Sequence, residues 1–223
     1  MQDELAARRD LAQAVYRRLE TALGLPDWGR PLPALDELVS TILSQNTNDC
    51  NRDVAFQALT AHYPSWEAVR DAPEAGVVAA IRPAGLANQK GPRIQAVLRQ
   101  ITAERGGLDL EFLRDLPVED GLAWLTRFNG VGPKTASIVL LFSLGKAAFP
   151  VDTHVHRVSG RIGLRPDKMT AEEAHGYLAR LFDPAQYGPA HMNLIRLGRL
   201  ICHARGPQCP RCPVRDLCAF ANP

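Results

Sequence analysis

The chain has 223 residues, 46% of them hydrophobic and 22% charged, an ordinary balance for a soluble globular protein with room for one large or two small domains. No apolar run approaches the roughly 20 residues of a membrane span, and Met1-Gln2-Asp3-Glu4-Leu5 lacks the basic and apolar segments of a secretory signal. A net charge of +2 does not by itself demand a nucleic acid partner, so the expectations from composition are no membrane and a cytoplasmic location.

Residues 3–23 place Leu5, Leu11, Val15, Leu19 and Leu23 at helical spacing among charges. Pro26, Pro31 and Pro33 break the chain, and Leu35 to Leu43 is the next helix. It runs into Ser44-Gln45-Asn46-Thr47-Asn48-Asp49, which can be buried only if its amides find partners. Further helices are predicted over 51–62, 65–71 with Ser65 as N-cap, 74–81, 88–103, 117–126, 133–144, 153–163, 170–182 and 189–204. Strand signals are almost absent. The expectation is an all-α fold of about ten helices, without repeats or a long linker.

Two stretches carry chemistry. The first is Phe128-Asn129-Gly130-Val131-Gly132-Pro133-Lys134-Thr135, a turn feeding a helix. Glycine permits the positive φ of a tight hairpin, Pro133 suits the first helical position, and free N–H groups at a helix start attract anions. Lys134 in that first turn is then a phosphate contact or a nucleophile. Asp152 follows eighteen residues later in Val151-Asp152-Thr153-His154, as a carboxylate or an N-cap.

The second stretch is Cys202, Cys209, Cys212 and Cys218, spaced C-x6-C-x2-C-x5-C within seventeen residues. Four crowded thiolates repel one another unless a metal neutralises them. Only Cys209 and Cys212 form a short knuckle, and the irregular remainder suits a wider [4Fe–4S] cubane better than a single zinc ion. Arg196, Arg199, Arg205, Arg211 and Arg215 surround these cysteines with only Asp216 against them, a local basic face. Cys50 stands apart and is expected in a helix core.

The ordered set G-V-G-P-K-T-A, V-D-T-H-V-x-R-V and C-x6-C-x2-C-x5-C resembles the endonuclease III family of DNA glycosylases, in the helix-hairpin-helix superfamily. The likeness extends to Ile42-Leu43-Ser44-Gln45-Asn46-Thr47 and Gly85-Leu86-Ala87-Asn88-Gln89-Lys90, so it runs from about residue 35 to 218. It implies a two-lobed all-α fold. Residues 28–145 would form a six-helix barrel ending in the hairpin, and residues 1–27 with 146–223 a lobe carrying a [4Fe–4S] cluster. It also implies a monomeric base-excision-repair glycosylase and AP lyase, acting on double-stranded DNA with oxidised pyrimidines or abasic sites.

By this resemblance Lys134 is the nucleophile that attacks C1′ and forms a Schiff base, which then permits β-elimination. Asp152 stabilises positive charge on the sugar and shuttles protons. Only an unprotonated amine attacks, and the positive end of the helix dipole and burial favour that form. Extruding the base leaves a gap. Gln45 and Leu86 match the gap-filling positions, with a helix-end cap and a core leucine as the ordinary alternatives. Gly130, Val131 and Gly132 would offer backbone N–H groups to a phosphate, and Lys90 and Arg93 would add charge to that contact or simply be solvated. His154 is expected to be an orienting or packed residue.

Phe128-Asn129 stands where Leu-Pro is frequent, Pro133 where a basic residue is frequent, and the 45–48 stretch is amide-rich. These departures bear on substrate range more than on reaction type. The rival readings are an adenine-mismatch glycosylase, which typically lacks the lysine, and a DNA-binding or redox module without catalysis.

Overall fold

The computed structural model describes residues 2–222, which contain helices and no strand. None of these helices is long and apolar enough to cross a membrane. The chain divides into two compact units: Pro31–Lys146, and the residues up to Arg30 together with those from Ala147 on.

In the unit of residues 31–146, α2 (Ala34–Leu43) buries Leu35, Leu38, Val39, Ile42 and Leu43, the stripe its spacing predicts. Asp36 and Glu37 lie in its first turn, where the helix dipole favours acids. α3 (Asp49–His62) starts at Asn48, whose side chain accepts the Asn51 N–H at 2.8 Å. α4 (Trp66–Asp71) starts at Ser65, which accepts the Ala68 N–H as expected. α5 (Glu74–Ala80) leads through a 3-10 turn at Arg82–Ala84 to α6 (Ala87–Arg105). α7 (Val118–Thr126) and α8 (Pro133–Ile138) flank the hairpin, and α8 runs into a π turn over Val139–Ser143. Trp124 packs edge-on against Phe128 at 4.8 Å and Phe112 at 5.0 Å, anchoring the hairpin from below.

Helix ends in this unit are tied by side chains. Gln95 is buried on α6 and its amide donates to the Val69 carbonyl at 2.9 Å and the Ala72 carbonyl at 2.8 Å, just where α4 stops. Arg114 donates to the Ser143 and Leu144 carbonyls, where the π turn ends.

The other unit joins α1 (Gln2–Leu23) to α9 (Thr153–Ile162), α10 (Ala171–Ala179) and α11 (Tyr187–Leu200). α11 packs against both α1 and α9. Arg9 donates to the Arg180 carbonyl, and Gln13 and Gln186 exchange amide bonds at 2.9 Å. Thr170 and Glu173 form a reciprocal capping box that starts α10. α11 ends four residues before the predicted limit, because the Ile201 and Cys202 N–H groups both turn back to the Leu197 carbonyl. That turn sends the chain into an irregular loop with short 3-10 turns at Cys209–Arg211 and Arg215–Leu217.

One expectation about the core fails. Cys50 is exposed, in the first turn of α3. The buried face of that helix is set by Ala55 and Leu59, and Cys50 lies about 140° around the axis from Ala55.

Candidate active site

The hairpin is built by one glycine. Gly130 has φ of 83°, and a Cβ there would lie 2.6 Å or less from three side-chain atoms of Arg93. Gly132 is different: its φ is −90° and nothing crowds it. The Val131 N–H donates to the Phe128 carbonyl at 3.0 Å, and the Val131 side chain is buried. Val131 therefore closes the turn, and its N–H is not part of an outward-facing set. Pro133 occupies the first position of α8 and Lys134 the second, half-buried. Among the charges acting on Glu37 of α2 is Lys134, so a second carboxylate shares its surroundings. Burial raises the Glu37 carboxyl above its usual value, against the opposing influence of Thr41, Arg52 and Lys134.

Gln45 is engaged rather than presented. Its amide donates to the Gly130 carbonyl at 2.9 Å and accepts from Arg93 at 3.0 Å. Arg93 accordingly meets the hairpin through Gln45 and through van der Waals contact at Gly130. The neighbour Asn46 is exposed, with a left-handed φ of 53°. Leu86 is 46% exposed, also left-handed with φ of 50°, and stands at the start of α6. It is not a core leucine.

Lys90 requires a correction. Neither a phosphate contact nor a solvated surface charge describes a side chain that is 1% exposed. Its amine donates to the Leu43 carbonyl at 2.7 Å and the Ala84 carbonyl at 2.8 Å. Burial, with Arg93 adding, pulls it below the usual lysine range.

In the other unit Asp152 is the N-cap of α9, its Oδ1 accepting the Val155 N–H at 2.7 Å. The second carboxylate oxygen accepts no bond among the described residues. His154 is a packed residue: its Nδ1 faces Arg157 at 3.0 Å, and burial lowers its pKa, with Asp152 opposing and Arg157 and Arg199 assisting.

Cys202, Cys209, Cys212 and Cys218 line one cavity walled by Val158, Ile162, Leu197, Ile201, Val214 and Phe220. Burial raises the Cys212 thiol, and the other three cysteines push it further. No trio of His, Cys, Asp or Glu among the described residues gathers closely enough to ligate one ion. The four cysteines are the thiol donors that line this cavity. Arg161 donates to the Cys202 sulfur at 3.4 Å and to the His203 and Ala204 carbonyls, with Phe220 under its guanidinium at 4.8 Å. Sequence reasoning missed Arg161; its place three residues beyond the V-D-T-H-V-x-R-V stretch offered no signal of contact with the cysteines.

Residues 39–184 match the family model of the HhH-GPD superfamily of base excision DNA repair proteins. Endonuclease III of Thermotoga maritima is 34% identical over 183 residues, covering 82% of this chain and 81% of the relative. Endonuclease III of Sulfolobus acidocaldarius is 32% identical over 185 residues, covering 82% and 80%. An Arabidopsis thaliana protein is 42% identical over 146 residues, and the chain spans 50% of its length. A non-covalent endonuclease III–DNA complex matches with a TM-score of 0.81 at 25% identity, over 96% of both chains. The chain belongs to the HhH-GPD superfamily of base excision DNA repair proteins and, within it, to the endonuclease III family.

Proposed function

We propose that the protein is a bifunctional DNA glycosylase and AP lyase that removes oxidised pyrimidines from double-stranded DNA. The observation that carries the reading is Lys134, a primary amine in the first turn of α8 directly behind the locked Gly130 hairpin. Membership of a base-excision-repair family and likeness to an endonuclease III–DNA complex support it.

The Lys134 nitrogen attacks C1′ with its lone pair, and the glycosidic electrons leave with the damaged base, which takes up a proton. The sugar ring opens to an imine between Lys134 and C1′. Loss of a C2′ proton then expels the 3′ phosphate oxygen, nicking the strand. Asp152 is fixed by its Val155 bond, and its second oxygen is the group that stabilises the cationic sugar and moves protons. Gly130 and Gly132 let the hairpin backbone approach a phosphate closely. Leu86 enters the gap as an apolar wedge, and Gln45 supports the hairpin from behind.

The four cysteines line one cavity, and four thiol donors are the ligand set a [4Fe–4S] cluster takes. When bound, the cluster supplies a rigid cross-link for the loop of residues 202–218. Arg205, Arg211 and Arg215 are exposed on that loop and suit a phosphate backbone. On this reading the protein works as a monomer on nucleoid DNA.

Borohydride trapping on thymine-glycol and abasic duplexes tests the assignment. Wild type is expected to form a covalent adduct and Lys134→Ala none. An adduct with the variant sinks the nucleophile, and binding without nicking by wild type favours a non-catalytic module.

A further inference from the structure

Asn46 and Leu86 are the two described residues other than glycine with positive φ. Left-handed backbone costs a residue such as leucine roughly 1–2 kcal/mol, and it persists only where its surroundings impose it. Both residues are exposed, so their own side chains do not impose it. The constraint comes from beneath.

Leu43, the last residue of α2, stands three residues before Asn46. Ala84, the last residue of the 3-10 turn, stands two before Leu86. The buried amine of Lys90 donates to both of their carbonyls, and the Lys90 N–H donates to the Leu86 carbonyl at 3.0 Å. One residue therefore holds the roots of both strained turns. The ties continue three residues along α6, where Arg93 bonds Gln45, and Gln45 bonds the Gly130 carbonyl of the hairpin. An apolar side chain at 90 would leave two buried carbonyls without donors.

We propose that Lys90 is a positioning residue: it sets the turns of Asn46 and Leu86 as one rigid pair, so that Leu86 is already in place when a base leaves the duplex. This rests on the reading above, in which Leu86 fills the gap. Lys90 itself does not touch DNA. Its effect falls on extrusion of a stacked base and spares chemistry at a site where no base needs to move.

The experiment compares wild type, Lys90→Met, Leu86→Ala and the double variant in three assays. These are base release from a thymine-glycol duplex, nicking of a preformed abasic duplex, and fluorescence of 2-aminopurine beside the lesion as a catalysis-independent report of unstacking. Lys90→Met is expected to slow base release about tenfold or more, to change abasic nicking by less than about threefold, and to lose the fluorescence rise. The double variant is expected to be no worse than Leu86→Ala, because both changes remove the same function. Where Lys90→Met does not fold, Lys90→Gln, whose amide nitrogen stands one bond short of the lysine amine, is scored by the same criteria. A parallel loss of release and nicking, an unchanged fluorescence rise, or multiplicative effects in the double variant would overturn the proposal. If wild type unstacks the base yet releases nothing, the glycosylase reading falls, and the Lys90 proposal is still decided by fluorescence.

Discussion

Residues 31–146 and the cysteine loop stabilise irregular backbone by different means. Residues 31–146 set polar side chains against main-chain carbonyls: buried Lys90 under two turns, buried Gln95 at the end of α4, half-buried Gln45 under the hairpin. The cysteine loop has no such interior. Not one of residues 202–213 is buried, and the loop is held by Arg157, Arg161 and the four thiols around their cavity. The first arrangement is complete in the polypeptide. The second would be completed by the cluster proposed above, since four thiolates at close quarters repel.

Removing the Lys134 amine, the nucleophile proposed above, is the severest test within residues 31–146, because the ties of Lys90, Gln95 and Gln45 do not include it. Lys134→Ala is expected to lower strand nicking by at least about a thousandfold while leaving the melting temperature nearly unchanged. Removing the iron of the proposed cluster should separate the cysteine loop from residues 31–146 most clearly. Amide exchange at the loop, including the Gln208 N–H to Ile201 carbonyl bond, is expected to lose protection by at least about a hundredfold, while residues 31–146 keep theirs. Equal loss in both would contradict the contrast.

Smaller effects sharpen the first arrangement. Gly130→Ala forces a side chain into positive φ and against Arg93, and should weaken abasic-DNA binding by about tenfold, read by titration. Gln95→Leu leaves the Val69 and Ala72 carbonyls unsatisfied and should cost about 1–3 kcal/mol in denaturant unfolding. Glu37→Gln is the mildest. The folded state raises the Glu37 carboxyl, so its favourable contribution is complete below the unfolded value and is lost as pH rises through the folded one. The amide variant should therefore be more stable at neutral pH by less than about 1 kcal/mol, a gain that vanishes below about pH 4.

Helix positions were legible because their ends are written in local chemistry. Asn48, Ser65 and Thr170 cap as their type suggests, and proline breaks the segments between. The motifs for Lys134 and Asp152 were legible as spacing, and Asp152 also proved to be the cap that its place before Thr153 allowed. Polar residues with buried roles were harder. Lys90 looks like a surface charge beside Asn88 and Gln89, yet it shares the Ile94, Val97 and Ile101 face at spacings of four, three and four. That periodicity was the available signal. Gln45 offered none, because its partners lie 48 and 85 residues away in Arg93 and Gly130.

The discontinuous unit also sets an order in time. α1 is made before residues 31–146, but its partners are made after them: the Arg180 carbonyl lies 171 residues beyond Arg9, and Asp216 lies 198 residues beyond Arg18. Residues 31–146 can complete their local contacts while α1 waits as a solvated helix. Its docking then closes a very long loop, at an entropic cost that grows only slowly with length. A helix made before residues 31–146 thus finds its place after they do, and slow assembly of this protein should be sought in that closure.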